Sequence, residues 1–306
     1  MNTQNVNVKT ATRKSTERWD EKGTVMAPEK KDLYQRVTDT LIAALEVGVK
    51  PWVCPWQRKG MSSLPCNYTT GHHYQGMNIL LLWHSATTKG YTDPRWLTYR
   101  QAKDAAGQVR RGEQGTTIFY YSMREKERED GEVDHIPLIK TFTVFNYEQI
   151  DGLAVSDIEM PEIHFNSQVT LETFFEKSGA KIREKGEAAY FNPTRDEIIL
   201  PARHLFSQAA DFYATGLHEL VHWSGAKTRL NREMKGKFGS ADYAFEELIA
   251  ELGSAFLMAH FGVQGEVQHE SYIASWLKAL KNDKRFIFKA ASFASKAHQY
   301  LIDKSK

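Results

Sequence analysis

The sequence is poor in the features that mark several classes of protein. Its 306 residues include only two cysteines, Cys54 and Cys66, which argues against a disulfide scaffold and cannot by itself close a structural zinc site. The longest apolar run, NILLLWH at 78–84, is far shorter than a membrane span. The first 23 residues contain no apolar segment of the kind found in secretory signals. We therefore expect a cytoplasmic protein with no membrane partner.

The sequence also lacks a strong excess of charge of either sign. The net charge is +2, so the whole chain is not a polyanion binder by bulk charge. A hydrophobic content of 41% and a charged content of 25% are typical of a soluble globular protein. The length suggests two domains, and the acidic, partly apolar stretch at 151–163 is the best boundary. We predict a flexible tail at 1–29, a first domain at 30–155 and a second at 156–306.

The local patterns in both halves mix helices with strands. They predict an α+β fold. In the first half we expect helices over 30–48, 78–90 and 96–115, and two strands in 116–124 and 138–150. In the second half we expect two short strands around a turn in 188–201, and helices over 167–180, 207–225, 241–262, 271–283 and 286–302.

The stretch HELVH at 218–222 carries the strongest chemical signal. Residues four apart share one face of a helix, so His218 and His222 can bind one metal ion. Glu219 stands beside them as a general base, which is the pattern of zinc peptidases. The alternative is an ordinary polar stripe on a helix whose other side, with Leu217 and Leu220, packs inward.

A second acidic segment supplies candidates for a third ligand. Catalytic zinc usually takes three protein ligands, and FEELIAELG offers Glu246, Glu247 and Glu251. Several families of glutamate-type zinc peptidases carry E-x-x-A-D or E-x-x-A-N at this place. By that likeness Glu247 is the ligand, and Glu251 orients a ligand histidine. Glutamate stands here where aspartate or asparagine is usual, so the two roles could be reversed.

This site predicts metal-assisted peptide hydrolysis. We expect Zn²⁺, or another divalent transition metal such as Mn²⁺, with Glu219 as the residue that moves the proton. A nuclease is the less favoured alternative, because phosphodiester chemistry prefers carboxylate-rich Mg²⁺ sites.

The first half has the composition of a single-strand DNA binder. Residues 31–120 contain eleven basic and six acidic residues, with aromatic residues interleaved. Cations can follow phosphates while rings stack on bases. The candidates are Trp52, Trp56, Arg58, Lys59, Arg110 and Arg111. The alternatives are that the rings belong to the core and that the arginine pair is a solvated helix end.

Several segments together resemble the ArdC family of plasmid antirestriction proteins. They are PWVCPWQ, GHHYQGMN, RRGEQG, VFNYEQ, LHELVHWSG and EELIAELGSAFL, and related N-terminal regions occur in TraC-type plasmid primases. The resemblance implies an N-terminal domain that binds single-stranded DNA and a C-terminal zincin-like metallopeptidase domain of the gluzincin type. It also implies protection of incoming conjugative DNA from host restriction. The protein substrate is left open, with a host restriction component as a candidate. The rival is a non-catalytic protein that coats single-stranded DNA and has a structural or relict metal site.

Overall fold

The structure, a computed structural model, describes residues 32–56, 62–127, 133–153, 167–233, 240–263, 265 and 272–306. Of residues 121–127, 133–138 and 167–168 only the backbone is described. The helices are α1 Leu33–Glu46, α2 Met77–Lys89, α3 Tyr99–Asp104, α4 Ser167–Ser178, α5 Ala209–Ser224, α6 Ala241–His260, α7 Ile273–Asn282 and α8 Phe286–Lys304. The strands are β1 Cys66–Asn67, β2 Arg95–Thr98, β3 Gln108–Val109, β4 Thr116–Glu127, β5 Val133–Asn146, β6 Ile150–Asp151, β7 Lys181–Glu184, β8 Tyr190–Asn192 and β9 Glu197–Leu200. The mixture of helices and strands confirms the predicted fold class.

A four-stranded sheet organises the first half, in the order β1-β2-β5-β4. The predicted strand pair is present as β4 and β5, which pair antiparallel from Thr116 opposite Val144 outward. Strand β2 adds antiparallel to β5, and the short β1 adds parallel to β2. Helix α2 packs against β4, and the side chain of Asn78 bonds to both backbone groups of Phe119 at 2.8 Å.

The helix predicted over 96–115 is wrong. That segment begins as strand β2, and α3 contains only six residues. Thr98 ends the strand and caps the helix, because its hydroxyl accepts a bond from Gln101 N while the Gln101 side chain bonds back to Thr98 N. The apolar residues Trp96 and Leu97, each 0% exposed, therefore belong to a buried strand and not to a helix face.

The second half places a small sheet against a pair of long helices. Strands β8 and β9 form the predicted antiparallel pair, and β7, which the sequence patterns did not predict, adds parallel to β9. Strand β9 is buried along its length and packs on α5. Helix α6 approaches α5 closely at Gly253, where a Cβ would stand 2.8 Å from a methyl group of Val221. This close contact between the helices positions the acidic residues of α6 beside the histidines of α5.

One continuous apolar core joins the two halves of the chain. Helix α1 packs on α7, with the Thr38 hydroxyl donating to the carbonyl of Lys284 at 2.8 Å. The ring of Trp83 in α2 packs against Phe256 in α6, with centroids 6.0 Å apart. No helix in the described ranges has the length and apolar character needed to cross a membrane.

Candidate metal centre

Helix α5 carries both motif histidines on one buried face. His218 is 2% exposed and His222 is 8% exposed, so the motif does not form a solvent-facing polar stripe. Their Nε2 atoms face each other at 3.1 Å. Two imidazole nitrogens at that distance need a shared proton or a shared cation between them.

Glu247 completes a three-residue cluster with these histidines. Its carboxylate oxygens lie 3.5 Å from His218 Nε2 and 3.7 Å from His222 Nε2. Ligand atoms bound at about 2.0–2.1 Å to a tetrahedral zinc ion stand roughly 3.3 Å apart, close to these separations. The residues present therefore fit a divalent metal ion, and within the described ranges His218, His222 and Glu247 are the one such group.

The electrostatics of the cluster favour a positive charge. Burial opposes the charged form of His222, yet hydrogen bonds to Glu246 and Glu247 raise the pKa of His222 to about 10. Burial would raise the pKa of Glu247, but hydrogen bonds from His218 and His222 hold that pKa well below its usual range. The carboxylates thus stabilise a cation at the imidazoles, whether that cation is a proton or a metal ion.

Glu246 contacts His222, a placement that the sequence patterns did not predict. Its Oε1 atom lies 3.1 Å from His222 Nδ1, so it orients that imidazole and fixes its tautomer. Arg232 donates to both Glu246 oxygens, at 3.1 and 2.7 Å, and also to the carbonyl of Val221 at 2.6 Å. The signal in the sequence was a second glutamate directly before Glu247, but nothing local pointed to Arg232.

Glu251 has a contact that the sequence did not predict. It accepts a hydrogen bond from Trp52 Nε1 at 3.1 Å, while Glu246 contacts the motif histidine His222. Glu251 is 6% exposed and lies outside the three-residue cluster. The structure thus brings Glu247 into one cluster with the two histidines, which favours the first of the two assignments that the sequence left open.

Two tyrosines lie beside the cluster together with Glu219. Glu219 is 7% exposed, and its charge contributes to the raised pKa values of His222 and Tyr272. The hydroxyls of Tyr243 and Tyr272 are 3.3 Å apart. Burial, with a hydrogen bond to Tyr272 and the nearby Glu247, raises the pKa of Tyr243 far above its ordinary value. Both tyrosines therefore stay protonated as hydrogen-bond donors at neutral pH.

The predicted DNA-binding tryptophans are not exposed. Trp52 and Trp56 are only 2% and 3% exposed, so neither presents a ring face for a base to stack on, and this part of the prediction is corrected. Their indole groups are used internally, Trp52 by Glu251 and Trp56 by the carbonyl of Ser63 at 3.0 Å. The predicted Arg58 and Lys59 lie outside the described residues.

The predicted arginine pair, Arg110 and Arg111, follows strand β3, and the two side chains have different surroundings. Arg110 is held by Glu113 at 2.9 Å and Asp151 at 3.4 Å. Arg111 is exposed. Both line a groove with Tyr99 and Phe145, and the Tyr99 ring is 53% exposed. An exposed ring and an exposed cation therefore share one groove in the first half.

Two family descriptions match successive parts of the chain. Residues 31–145 match the N-terminal domain of the anti-restriction factor ArdC. Residues 169–293 match the zincin-like metallopeptidases. The cluster of His218, His222 and Glu247 lies within the second match, so the two-domain order predicted from the sequence is present.

Known structures and relatives agree with this assignment. The metal-free crystal structure of the antirestriction protein ArdC from plasmid R388 is 44% identical, with 90% of this chain and 98% of that chain covered and a TM-score of 0.77. The Mn(II)-bound structure of the same protein is 42% identical over the same shares, with a TM-score of 0.75. An uncharacterised protein of Sinorhizobium fredii, y4eC, is 39% identical over 88% of this chain and 91% of its own length.

The DNA primase TraC of Escherichia coli is 39% identical over 90% of this chain, but the match spans only 28% of the primase. The solved ArdC chain is 44% identical and is covered over 98% of its length, which is enough to assign the family. The protein belongs to the ArdC antirestriction family, with an ArdC-type N-terminal domain followed by a zincin-like metallopeptidase domain.

Proposed function

We propose that this protein is an antirestriction protein that binds single-stranded DNA and hydrolyses a protein substrate at a divalent-metal centre. In this proposal it protects incoming conjugative plasmid DNA in the cytoplasm of a restricting host, and a host restriction component is the candidate substrate. The observation that carries the enzymatic part is the convergence of His218, His222 and Glu247, with Glu219 beside them, in a zincin-like domain.

The three residues of the cluster are the proposed metal ligands. Two nitrogen donors and one carboxylate form the donor set of catalytic zinc sites in peptidases, so Zn²⁺ is the ion we propose, with Mn²⁺ as the alternative. When bound, such an ion supplies Lewis-acid chemistry, because it polarises a carbonyl group and makes water easier to deprotonate. Glu246 and Arg232 hold the His222 imidazole in the tautomer that leaves Nε2 available.

Proton transfer is assigned to Glu219. Its carboxylate accepts a proton from the attacking water at a carboxylate oxygen and delivers it to the leaving amine. The hydroxyls of Tyr243 and Tyr272, kept neutral beside Glu247, are the proposed donors to the carbonyl oxygen that gains negative charge during attack.

The substitution Glu219→Gln tests this assignment, since it preserves the shape of the side chain and removes the base. We expect a loss of proteolysis of about 10²–10⁴-fold, measured as cleavage of an unfolded protein substrate. Metal content and single-strand DNA binding should stay at parental levels. Glu233→Gln, at an exposed position two residues after Asn231, is the matched control and should change none of the three. Parental cleavage by Glu219→Gln would contradict the proposed chemistry.

The same variant separates hydrolysis from protection. If cleavage of a host protein is the means of protection, conjugation into a restricting recipient becomes less efficient with Glu219→Gln. If the variant protects transferred DNA as well as the parent does, the protein acts by coating single-stranded DNA, and its metal site is structural or relict.

The proposed DNA-binding surface is the groove lined by Tyr99, Arg110 and Arg111. Arg111 is exposed, and Tyr99 offers a ring for stacking, whereas Arg110 is held by two carboxylates. A ring beside a cation is the arrangement that sequence-tolerant binding of single strands uses. This groove replaces the loop with Trp52 and Trp56 as the candidate.

Substitutions in the groove should weaken binding without changing the fold. We expect Tyr99→Ala to cost about 1–3 kcal/mol of binding free energy, the usual value for one stacked base. Arg111→Gln should lower affinity and reduce the slope of affinity against salt by about one. The control is Lys185→Gln, at an exposed position in the second half. Gel shifts with single-stranded and duplex oligonucleotides measure both effects, and equal affinity for duplex would contradict the preference for single strands.

A further inference from the structure

Helix α6 carries three buried glutamates within two turns, and each is engaged by a different part of the chain. Glu246 is bound by Arg232, and Glu247 lies at the two histidines. Glu251 accepts a hydrogen bond from the indole of Trp52, 199 residues away in sequence. The first two partners belong to the zincin-like half. The third belongs to the loop that follows α1, in the half that matches the N-terminal domain of ArdC.

Trp52 packs against residues of the zincin-like half that lead to the metal centre. Its ring meets the Trp276 ring edge to face, with centroids 5.5 Å apart. Trp276 in turn donates to the carbonyl of Ala244 in α6 at 2.9 Å and stacks on Tyr272 at 6.0 Å. Because Tyr272 shares a hydrogen bond with Tyr243 beside Glu247, a continuous set of aromatic contacts runs from Trp52 to the cluster.

The contact between Trp52 and Glu251 is of the kind that orients a carboxylate. The indole has a single N–H and can only donate, and a bond to an ionised acceptor is stronger than one between neutral groups. Both side chains are buried, at 2% and 6% exposure, so solvent hardly competes for the bond. Glu251 lies one helical turn after Glu247 on the same face of α6. The bond from Trp52 therefore fixes a side chain that stands one turn away from the proposed ligand Glu247.

We propose that Trp52 is a positioning residue of the metal centre, and that the N-terminal half completes a site whose ligands all come from the zincin-like half. This inference rests on the metal centre proposed above. It assigns to the N-terminal half a role in metal binding that is separate from any contact with DNA.

The test measures the affinity of metal-free, full-length protein for Zn²⁺ and for Mn²⁺ by competition with a chelator. Trp52→Phe keeps an aromatic ring and removes the N–H donor, and we expect it to weaken both affinities by about tenfold, within the range for residues that support metal ligands. Trp56→Phe is the matched control. Trp56 lies in the same loop, is equally buried and donates to a carbonyl of its own half, so Trp56→Phe should cost similar stability and keep the parental metal affinity.

A second variant tests the same hydrogen bond from the side of the acceptor, so that the result does not depend on Trp52→Phe alone. Glu251→Gln keeps the shape and an acceptor oxygen but removes the charge, and we expect it to weaken metal binding by a similar factor. The double variant Trp52→Phe/Glu251→Gln should be no weaker than Glu251→Gln alone, because both changes act through one interaction. Parental affinity in either single variant, or an equal loss in Trp56→Phe, overturns the role of Trp52.

His218→Ala distinguishes failure of this inference from failure of the metal centre itself. If the parent binds no ion, or if His218→Ala binds as tightly as the parent, the centre is misassigned and both proposals fall. If His218→Ala loses the ion while Trp52→Phe keeps it at parental affinity, only the role of Trp52 is overturned.

Discussion

Two groups of histidines in this protein, one buried and one half-buried, meet opposite electrostatic environments. In one, His218 and His222 face Glu247, and the pKa of His222 is raised to about 10. In the other, His73, His260 and His298 come together where the N-terminal half meets α6 and α8. There burial lowers the pKa of His260 to about 4 and that of His298 to about 3.

The difference comes largely from the neighbours of the imidazoles. His218 and His222 are buried, and His73, His260 and His298 are half-buried, so the desolvation penalty alone would lower the pKa in both groups. The second group has one imidazole nitrogen on each histidine that finds no hydrogen-bond partner among the described residues. The acidic group that acts on it, Asp303, has a smaller effect on His298 than burial has. Helix α6 contributes to both groups, with Glu247 and His260 about 20 Å apart along its axis. A cluster of histidines by itself therefore says little about metal binding, whereas histidines beside a buried carboxylate say much more.

The largest expected effect removes a ligand from the first group. His218→Ala and Glu247→Gln should each abolish stoichiometric metal binding, because three protein ligands are the usual minimum for a catalytic zinc ion. Metal content of the purified proteins measures this. His298→Phe, in the second group, is the control and should keep the ion. If Glu251→Gln loses the ion altogether while Glu247→Gln retains it, the two glutamates have exchanged roles.

A smaller but still large effect is expected from the residues that support the ligands. Glu246→Gln leaves the side chain of Arg232, which is 3% exposed, with a neutral partner. Breaking one side of a buried ion pair typically costs about 3–5 kcal/mol of stability. Metal affinity should fall about 10–100-fold, because His222 loses the carboxylate that orients it. Denaturant unfolding and metal titration measure the two losses.

The control for this prediction is an exposed pair of the same chemistry. Glu184 bonds to Arg203 at 2.8 Å, with side chains 37% and 47% exposed, and such surface pairs contribute only about 0–1 kcal/mol. Glu184→Gln should therefore change stability little and metal affinity not at all. Comparable losses of stability in both variants would mean that the burial of Arg232 does not account for the stability contributed by its ion pair with Glu246.

The smallest expected effect is the pH dependence of stability that arises from His260 and His298 in the second group. Unfolded histidine titrates near pH 6.5, whereas His260 and His298 in the folded protein titrate near 4 and 3. Between these values the unfolded chain holds more protons, so stability is full above about pH 6.5 and falls as the pH drops toward 4 and 3. The charged groups acting on the cluster are Lys306, which adds to the fall, and Asp303, which opposes it.

His298→Phe should flatten this pH dependence, because an apolar ring of similar size has no proton to bind. Thermal unfolding of the metal-free protein between pH 4 and 7 measures the slope. His204→Gln, at an exposed position, serves as the control and should keep the parental slope. If the slope of His298→Phe is also parental, the acid sensitivity arises in other groups.

Sequence patterns predicted the long, periodic elements and failed where short elements meet. Helices α1, α2, α5 and α6 and the hairpin β4–β5 were predicted because their apolar residues recur at a clear period over many residues. The segment 96–115 was predicted as one helix because its apolar spacing fits helical periodicity. The segment instead forms β2, the short helix α3 and β3. Strand β2 pairs with β5 and β3 pairs with β6, and these partners lie far away in the sequence, so local patterns could not predict the pairing.

The candidate site shows the same division residue by residue. The spacing of His218 and His222 determined that they share a helix face, since four residues make about one turn whatever the surroundings. The choice between Glu247 and Glu251 could not be made from spacing, because both lie on the same face of α6. It depends on which turn of α6 stands opposite the two histidines, and the packing of α6 on α5 decides this.

The sequence by itself thus determined the shared helix face of His218 and His222, the fold class and the order of the two domains. Tertiary structure decided that Glu246 supports His222, that Arg232 supports Glu246 and that Trp52 binds Glu251 instead of DNA. The physical reason is one of range. Helical periodicity acts over a few residues, whereas a buried carboxylate needs a donor from wherever the fold supplies one, and here two of the donors come from outside the helix pair.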